Sequence, residues 1–77
     1  MKELLEIIAK KLVDNPEDVS VTEMPADKGV VLELRVAQGD MGKVIGKQGK
    51  IAKAIRTVVR AAAIHNDMHI SVEIVQQ

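Results

Sequence analysis

Seventy-seven residues suffice for one domain, in which about 60% of the surface exposed by the unfolded chain is buried. With 47% hydrophobic residues and no Phe, Tyr or Trp, the core must be built from Val, Ile, Leu, Ala and Met, and no aromatic platform exists on which a base could stack. The absence of cysteine excludes disulfides and thiolate metal sites, no apolar run approaches the ~20 residues of a bilayer span, and the formal net charge is zero.

Met1-Lys2-Glu3 leads into an amphipathic segment rather than an apolar leader, so the expectation is a soluble, cytoplasmic chain with no membrane partner. Leu4, Leu5, Ile8, Leu12 and Val13 recur at helical spacing, and Asn15-Pro16 ends the pattern, which predicts a helix over residues 2–14. Residues 19–23 and 32–36 alternate apolar and polar around the turn-rich Pro25-Ala26-Asp27-Lys28-Gly29, the pattern of a β-hairpin. Gln38-Gly39-Asp40 closes the second strand, and Asp40 is placed to cap a short helix over 41–45. A longer helix is expected over 50–64, closed by His65-Asn66-Asp67, before a last strand in which Ile70, Val72 and Ile74 alternate with Ser71, Glu73 and Val75. The order is α-β-β-α-α-β, an α+β domain with no linker or repeat left over.

Charge is not spread evenly along these elements. Residues 1–40 carry five Lys/Arg against nine Asp/Glu, residues 41–60 six against none, and residues 61–77 none against two. On a helical wheel, Ile51, Ile55, Val58, Val59 and Ala62 share one face of the long helix, while Lys50, Lys53, Arg56 and Arg60 lie opposite. Such a stripe taken alone reads more readily as a solvated helix face than as a binding surface. Its position adds information, because Gly46-Lys47-Gln48-Gly49 opens onto the N-terminus of the same helix. Helix N-termini present unpaired N–H groups and partial positive charge, and a glycine admits a phosphodiester closely. The stretch therefore has the character of a phosphate clamp, with Lys47 supplying charge and Gln48 a neutral donor. An ordinary helix–helix turn needs one glycine as its C-cap, not two.

"VIGKQGKIAKAI", residues 44–55, resembles the I-G-x-x-G-x-x-I motif of KH domains, whose GxxG loop clamps the backbone of about four nucleotides. Here Ile51 follows the second glycine by two positions, and Ala52 stands where the motif has its isoleucine. The element order resembles the type II KH arrangement, a three-stranded sheet with helices packed on one face, and the length and the "VDNPEDV" elbow resemble the KhpA-like family of small bacterial single-KH-domain proteins. The resemblance spans residues 1–77. It implies binding of single-stranded RNA by Gly46, Lys47, Gln48 and Gly49, with Lys43, Lys50 and Lys53 as flanking charges. Ile45 and Ile51, with Leu32 or Leu34, would wall an aliphatic groove for the bases. It also implies an RNA-chaperone role, a larger KhpB-like KH-containing partner, and links to cell-wall homeostasis and cell shape.

Other functions fare less well. Gly42-Lys43-Val44-Ile45-Gly46-Lys47 has three residues between its glycines where a P-loop has four, and Gln48 replaces the Mg²⁺-binding Ser/Thr. His65 and His69 are four apart, but Asn66-Asp67 interrupts the helix between them and no third ligand stands out, so neither a metal nor a cofactor is expected. No catalytic constellation stands out, and an enzyme is not expected. The second reading is an interaction module: Ala52, Ala54, Ala61 and Ala63 shoulder the apolar face of the long helix, where packing on the sheet is their first expected role, but they would also let a second backbone approach, giving a homodimer or a pair of KH domains.

Overall fold

Leu5 and Ala9, four residues apart, are the buried stripe of the first helix, α1 (Lys2–Leu12), and their burial against the sheet sets its orientation. A computed structural model describes residues 1–65 and 69–76, the side chains of His65 and Gln76 apart. Helix α1 stops at Leu12, two residues short of expectation, because Val13 is already extended at φ −99° and ψ 161°. A 3₁₀ turn at Pro16–Asp18, not foreseen from the sequence, leads into β1 (Ser20–Ala26) and β2 (Gly29–Val36). The strands are longer than expected, and the five-residue turn shrinks to Asp27–Lys28 because Ala26 pairs with Gly29. Pro25 lies within β1, tolerated there because β1 is an edge strand.

After a 3₁₀ turn at Gln38–Asp40 come α2 (Met41–Ile45), a third such turn at Lys47–Gly49, α3 (Lys50–His65) and β3 (Ile70–Gln76). The sheet order is β1-β2-β3, with β2 antiparallel to β1 and parallel to β3, so the α2–α3 segment is the crossover that a parallel pair requires. The α-β-β-α-α-β order is as expected. Where His65-Asn66-Asp67 was expected to close the long helix, residues 66–68 lie outside the described residues, as does the side chain of His65 in the His65/His69 pair. Among the described residues no group of three or more metal-ligating side chains gathers, and no helix is long and apolar enough to cross a membrane.

Alternation decides the core. Leu32, Leu34 and Val36 of β2 are fully buried beneath the helices, alongside Val21, Ile70 and Val72 of the flanking strands. Helix α3 adds Ala52, Ile55, Val59 and Ala63. Each fully buried Leu or Ile in this layer contributes about 1.5–3 kcal/mol of transfer free energy. The buried face of α3 is rotated from the one the wheel suggests: Ala52 and Ala63 are inside, while Val58 is 48% exposed. Gly29 is required by a close approach, since an added Cβ would overlap the His69 carbonyl oxygen, which accepts from the Val30 N–H at 3.0 Å.

Asp40 does not cap α2 through its side chain. Its carboxylate, 1% exposed, turns back to the chain leaving α1. Oδ1 accepts from the Asp14 N–H at 3.3 Å, and Oδ2 from the Asn15 N–H and Nδ2, each at 3.1 Å. These partners, 25 and 26 residues away, bolt the end of α1 to the start of α2. Burial, the largest single influence, pushes the carboxyl up, but hydrogen bonds from Asp14 and Asn15 and the Lys43 charge together hold it below the ordinary carboxylate value. A depressed folded-state value means stability that is complete above the unfolded carboxyl's range, about pH 4, and is lost as pH falls through the folded one. Asp40→Asn is therefore expected to lower the melting temperature at neutral pH and to flatten its decline below about pH 4, read by circular dichroism melts across pH.

Candidate nucleic-acid interface

The chain reverses between α2 and α3 through three residues with positive φ. Gly46 lies at φ 77° and ψ 173°, Gln48 at φ 58° and ψ 23°, and Gly49 at φ 75°. The Gly46 N–H closes α2 on the Gly42 carbonyl at 2.9 Å, and the Gly49 N–H bonds the Gly46 carbonyl at 3.1 Å. The two glycines serve different ends. A Cβ on Gly46 would stand 2.6 Å from Ile51 Cγ1 and 2.9 Å from its backbone N, so this glycine lets α3 fold back against the end of α2. A Cβ on Gly49 would meet nothing within 4 Å, so its backbone faces open space. Gly46 is thus explained from within the chain, whereas nothing within the chain crowds Gly49.

Lys47 and Gln48 are both exposed on this turn. Among the described residues, their N–H groups find no backbone acceptor, leaving two donors at the start of α3. Gln48, a non-glycine residue in the left-handed region, carries backbone strain of the kind that collects at functional turns. Lys50 and Lys53 are exposed one turn apart on α3. Lys43 differs: its Nζ sits 2.9 Å from Asp14 Oδ2 and 3.5 Å from Asp40 Oδ1, and the hydrogen bond and charge of Asp14 raise its pKa. Its charge is already met within the fold. Arg56, assigned by the wheel to the charged face, is half-buried and donates from Nε to the Val72 carbonyl of β3 at 3.2 Å.

The expected groove needs correction. Leu32 and Leu34 are fully buried in the core and wall no surface, because the face of β2 they occupy is the one the helices cover. Ile45 and Ile51 are half-buried beside the turn. An open apolar groove of about 300 Å³ runs instead between α1 and α3, lined by Ile8, Leu12, Ile51, Ala54, Ile55 and Val58. The i, i+4 pairs Ile8/Leu12 and Ala54/Val58 are visible in the sequence, but that the two helices leave a gap between them is a packing fact.

The profile of the family described as KhpA/KhpB, KH domain matches residues 2–74. Among similar curated proteins, the RNA-binding protein KhpA of Clostridium perfringens is 64% identical over 75 residues, covering 97% of this chain and 100% of its own length. Proteins of the same name from Clostridium acetobutylicum and Listeria monocytogenes are 59% and 51% identical, covering 97% and 99% of the chain and all of their own lengths. No solved structure matches the chain.

The different surroundings of the two glycines separate their substitutions. Gly46→Ala combines a left-handed backbone with a collision at Ile51 and is expected to cost about 2–4 kcal/mol, whereas Gly49→Ala, with backbone strain alone, should cost about 1–2 kcal/mol. Urea unfolding of both variants measures the gap, and equal costs would show that the Ile51 contact relaxes freely.

Proposed function

The chain belongs to the KhpA/KhpB KH-domain family, and from that membership we propose that it is an RNA-binding protein, not an enzyme, that grips single-stranded RNA at the turn of residues 46–49. The observation that carries this reading is the turn itself, with two unpaired N–H groups and the exposed Lys47 and Gln48 at the N-terminus of a sixteen-residue helix. A phosphodiester set there meets backbone donors, the partial positive helix end and the Lys47 ammonium together, while the open side of Gly49 admits its oxygens. Lys50 and Lys53 extend the positive field. Lys43 acts at one remove, holding α2 through Asp14 and Asp40. Without aromatic rings, bases rest against aliphatic surface at Ile45 and Ile51, which gives modest affinity and little base preference.

The family's description, which pairs KhpA with KhpB, supports a further part of the reading, partnership with a larger, KhpB-like KH-containing protein. RNA-chaperone work in the cytoplasm, bearing on cell-wall homeostasis and cell shape, is the part of the proposal that rests on the sequence resemblance alone. The groove between α1 and α3 favours assembly as an activity compatible with RNA binding, since its lining is aliphatic and Val58 within it is 48% exposed. Sedimentation over a concentration series is expected to show self-association that Val58→Glu weakens. A strict monomer that also recovers no KH-containing partner from cells would remove this part.

Lys47→Asp with Gln48→Asp tests the clamp. Both side chains are exposed, and Asp tolerates the left-handed backbone at position 48, so the melting temperature should change little. Binding should be lost, because one positive charge is removed and two negative charges are added where a phosphate would sit. For the parent, neutralising three or four phosphates predicts a slope of log K against log[salt] of roughly −2 to −3. A double variant that melts normally and holds RNA as tightly as the parent would overturn the clamp.

A further inference from the structure

Building on the RNA reading, we propose that the cleft at the far end of α3 is a second RNA subsite, which takes the phosphates and a base of the strand after it leaves the glycine turn. The cleft, about 380 Å³, opens between the β1–β2 turn, the start of β3 and the last turns of α3. Lys28, Arg60 and His69 rim it, and Val30, Ile64 and Ile70 form its aliphatic floor. Among the described residues no carboxylate lines it. Among the described residues neither Lys28 nor Arg60 has an ion-pair partner, in contrast to Lys43 and Arg35. Ile64, 72% exposed, is the most exposed large hydrophobic side chain among the described residues and stands one helical turn beyond Arg60.

What joins this cleft to the turn is the helix between them. Positions 50, 53, 57, 60 and 64 fall within about 80° of one another on a helix of 100° per residue, so Lys50, Lys53, Thr57, Arg60 and Ile64 form one stripe. All five are exposed. At 1.5 Å per residue the stripe carries a strand about 15 Å from Lys50 to Arg60, beyond the roughly four nucleotides a GxxG loop clamps. The other exposed flank of α3, toward α1, is the aliphatic groove with no charged residue in its lining. A polyanion leaving the turn therefore meets cations along one flank and hydrocarbon along the other. The first flank ends in a cleft that offers two unpaired cations for phosphate and a bare aliphatic floor for a base.

Lys28→Gln with Arg60→Gln removes both unpaired cations without touching the turn. Parent and variant are titrated, over a salt series, with random-sequence RNAs of four and about twelve nucleotides. The parent is expected to bind the longer RNA more tightly, with a slope against log[salt] steeper by about 1.4, the contribution of two further phosphates on a single strand. The variant should bind the longer RNA about tenfold more weakly, with that added slope gone, yet bind the tetranucleotide within twofold of the parent and melt normally. A variant that holds the longer RNA with the parent's affinity and slope overturns the subsite while leaving the clamp in place. If the parent binds neither RNA at low salt, the RNA reading itself fails, and the subsite with it.

Discussion

The contact between Gly46 and Ile51 governs the functional end of this molecule. A five-residue helix must stop, and a sixteen-residue helix must start almost at once in a new direction, and this requires the Ile51 side chain to lie where any Cβ at position 46 would be. Once it does, α3 lays Ala52, Ile55, Val59 and Ala63 on the sheet, and Lys47 and Gln48 are turned outward. The turn and the core are one packing solution. The backbone donors at the start of α3 are a by-product of the geometry that closes the hydrophobic layer, so the chain needs no dedicated loop to present them.

Electrostatics then separates the cations by task. Lys43 is committed to Asp14 and Asp40, Arg35 to Glu33 and Arg56 to a β3 carbonyl, so these three charges are spent on holding elements in place. Lys47, Lys50, Lys53 and Arg60 remain on the surface from the turn to the end of α3. With zero net charge, the field an approaching polyanion feels arises from this segregation rather than from total charge. On the proposed reading, aliphatic surface beside phosphate donors holds a strand by its backbone and reads its bases weakly.

Periodicity made most of the fold legible. The helices, the hairpin, the last strand and the glycine turn follow from spacings of 3.6 and 2 residues and from the two glycines, because those patterns are local. What escaped depends on contacts distant in sequence. Local capping rules assign Asp40 to α2, whereas its partners lie 25 and 26 residues back and become visible only when α1 ends beside it. Alternation in β2 shows that Leu32, Leu34 and Val36 share a face but not that the helices cover it. The wheel of α3 centres on its large side chains, yet the helix sits close to the sheet over Ala52 and Ala63, which rotates Val58 into the open and swings Arg56 toward β3.

Both margins of the three-stranded sheet carry an obstacle to further pairing. On β1, Pro25 has no N–H to donate to an incoming strand; on β3, the Val72 carbonyl is already engaged by Arg56. A sheet with open edges is a template for strand-by-strand growth into insoluble polymer, a hazard that rises with concentration in a crowded cell. Here that growth is hindered at each side by one residue, and the sheet remains a scaffold of three strands. Contacts with other molecules are thereby directed to the helical layer, where an aliphatic groove and a cationic stripe lie on opposite flanks of one helix. The chain can thus be abundant and adhesive to its ligands without adhering, edge to edge, to itself.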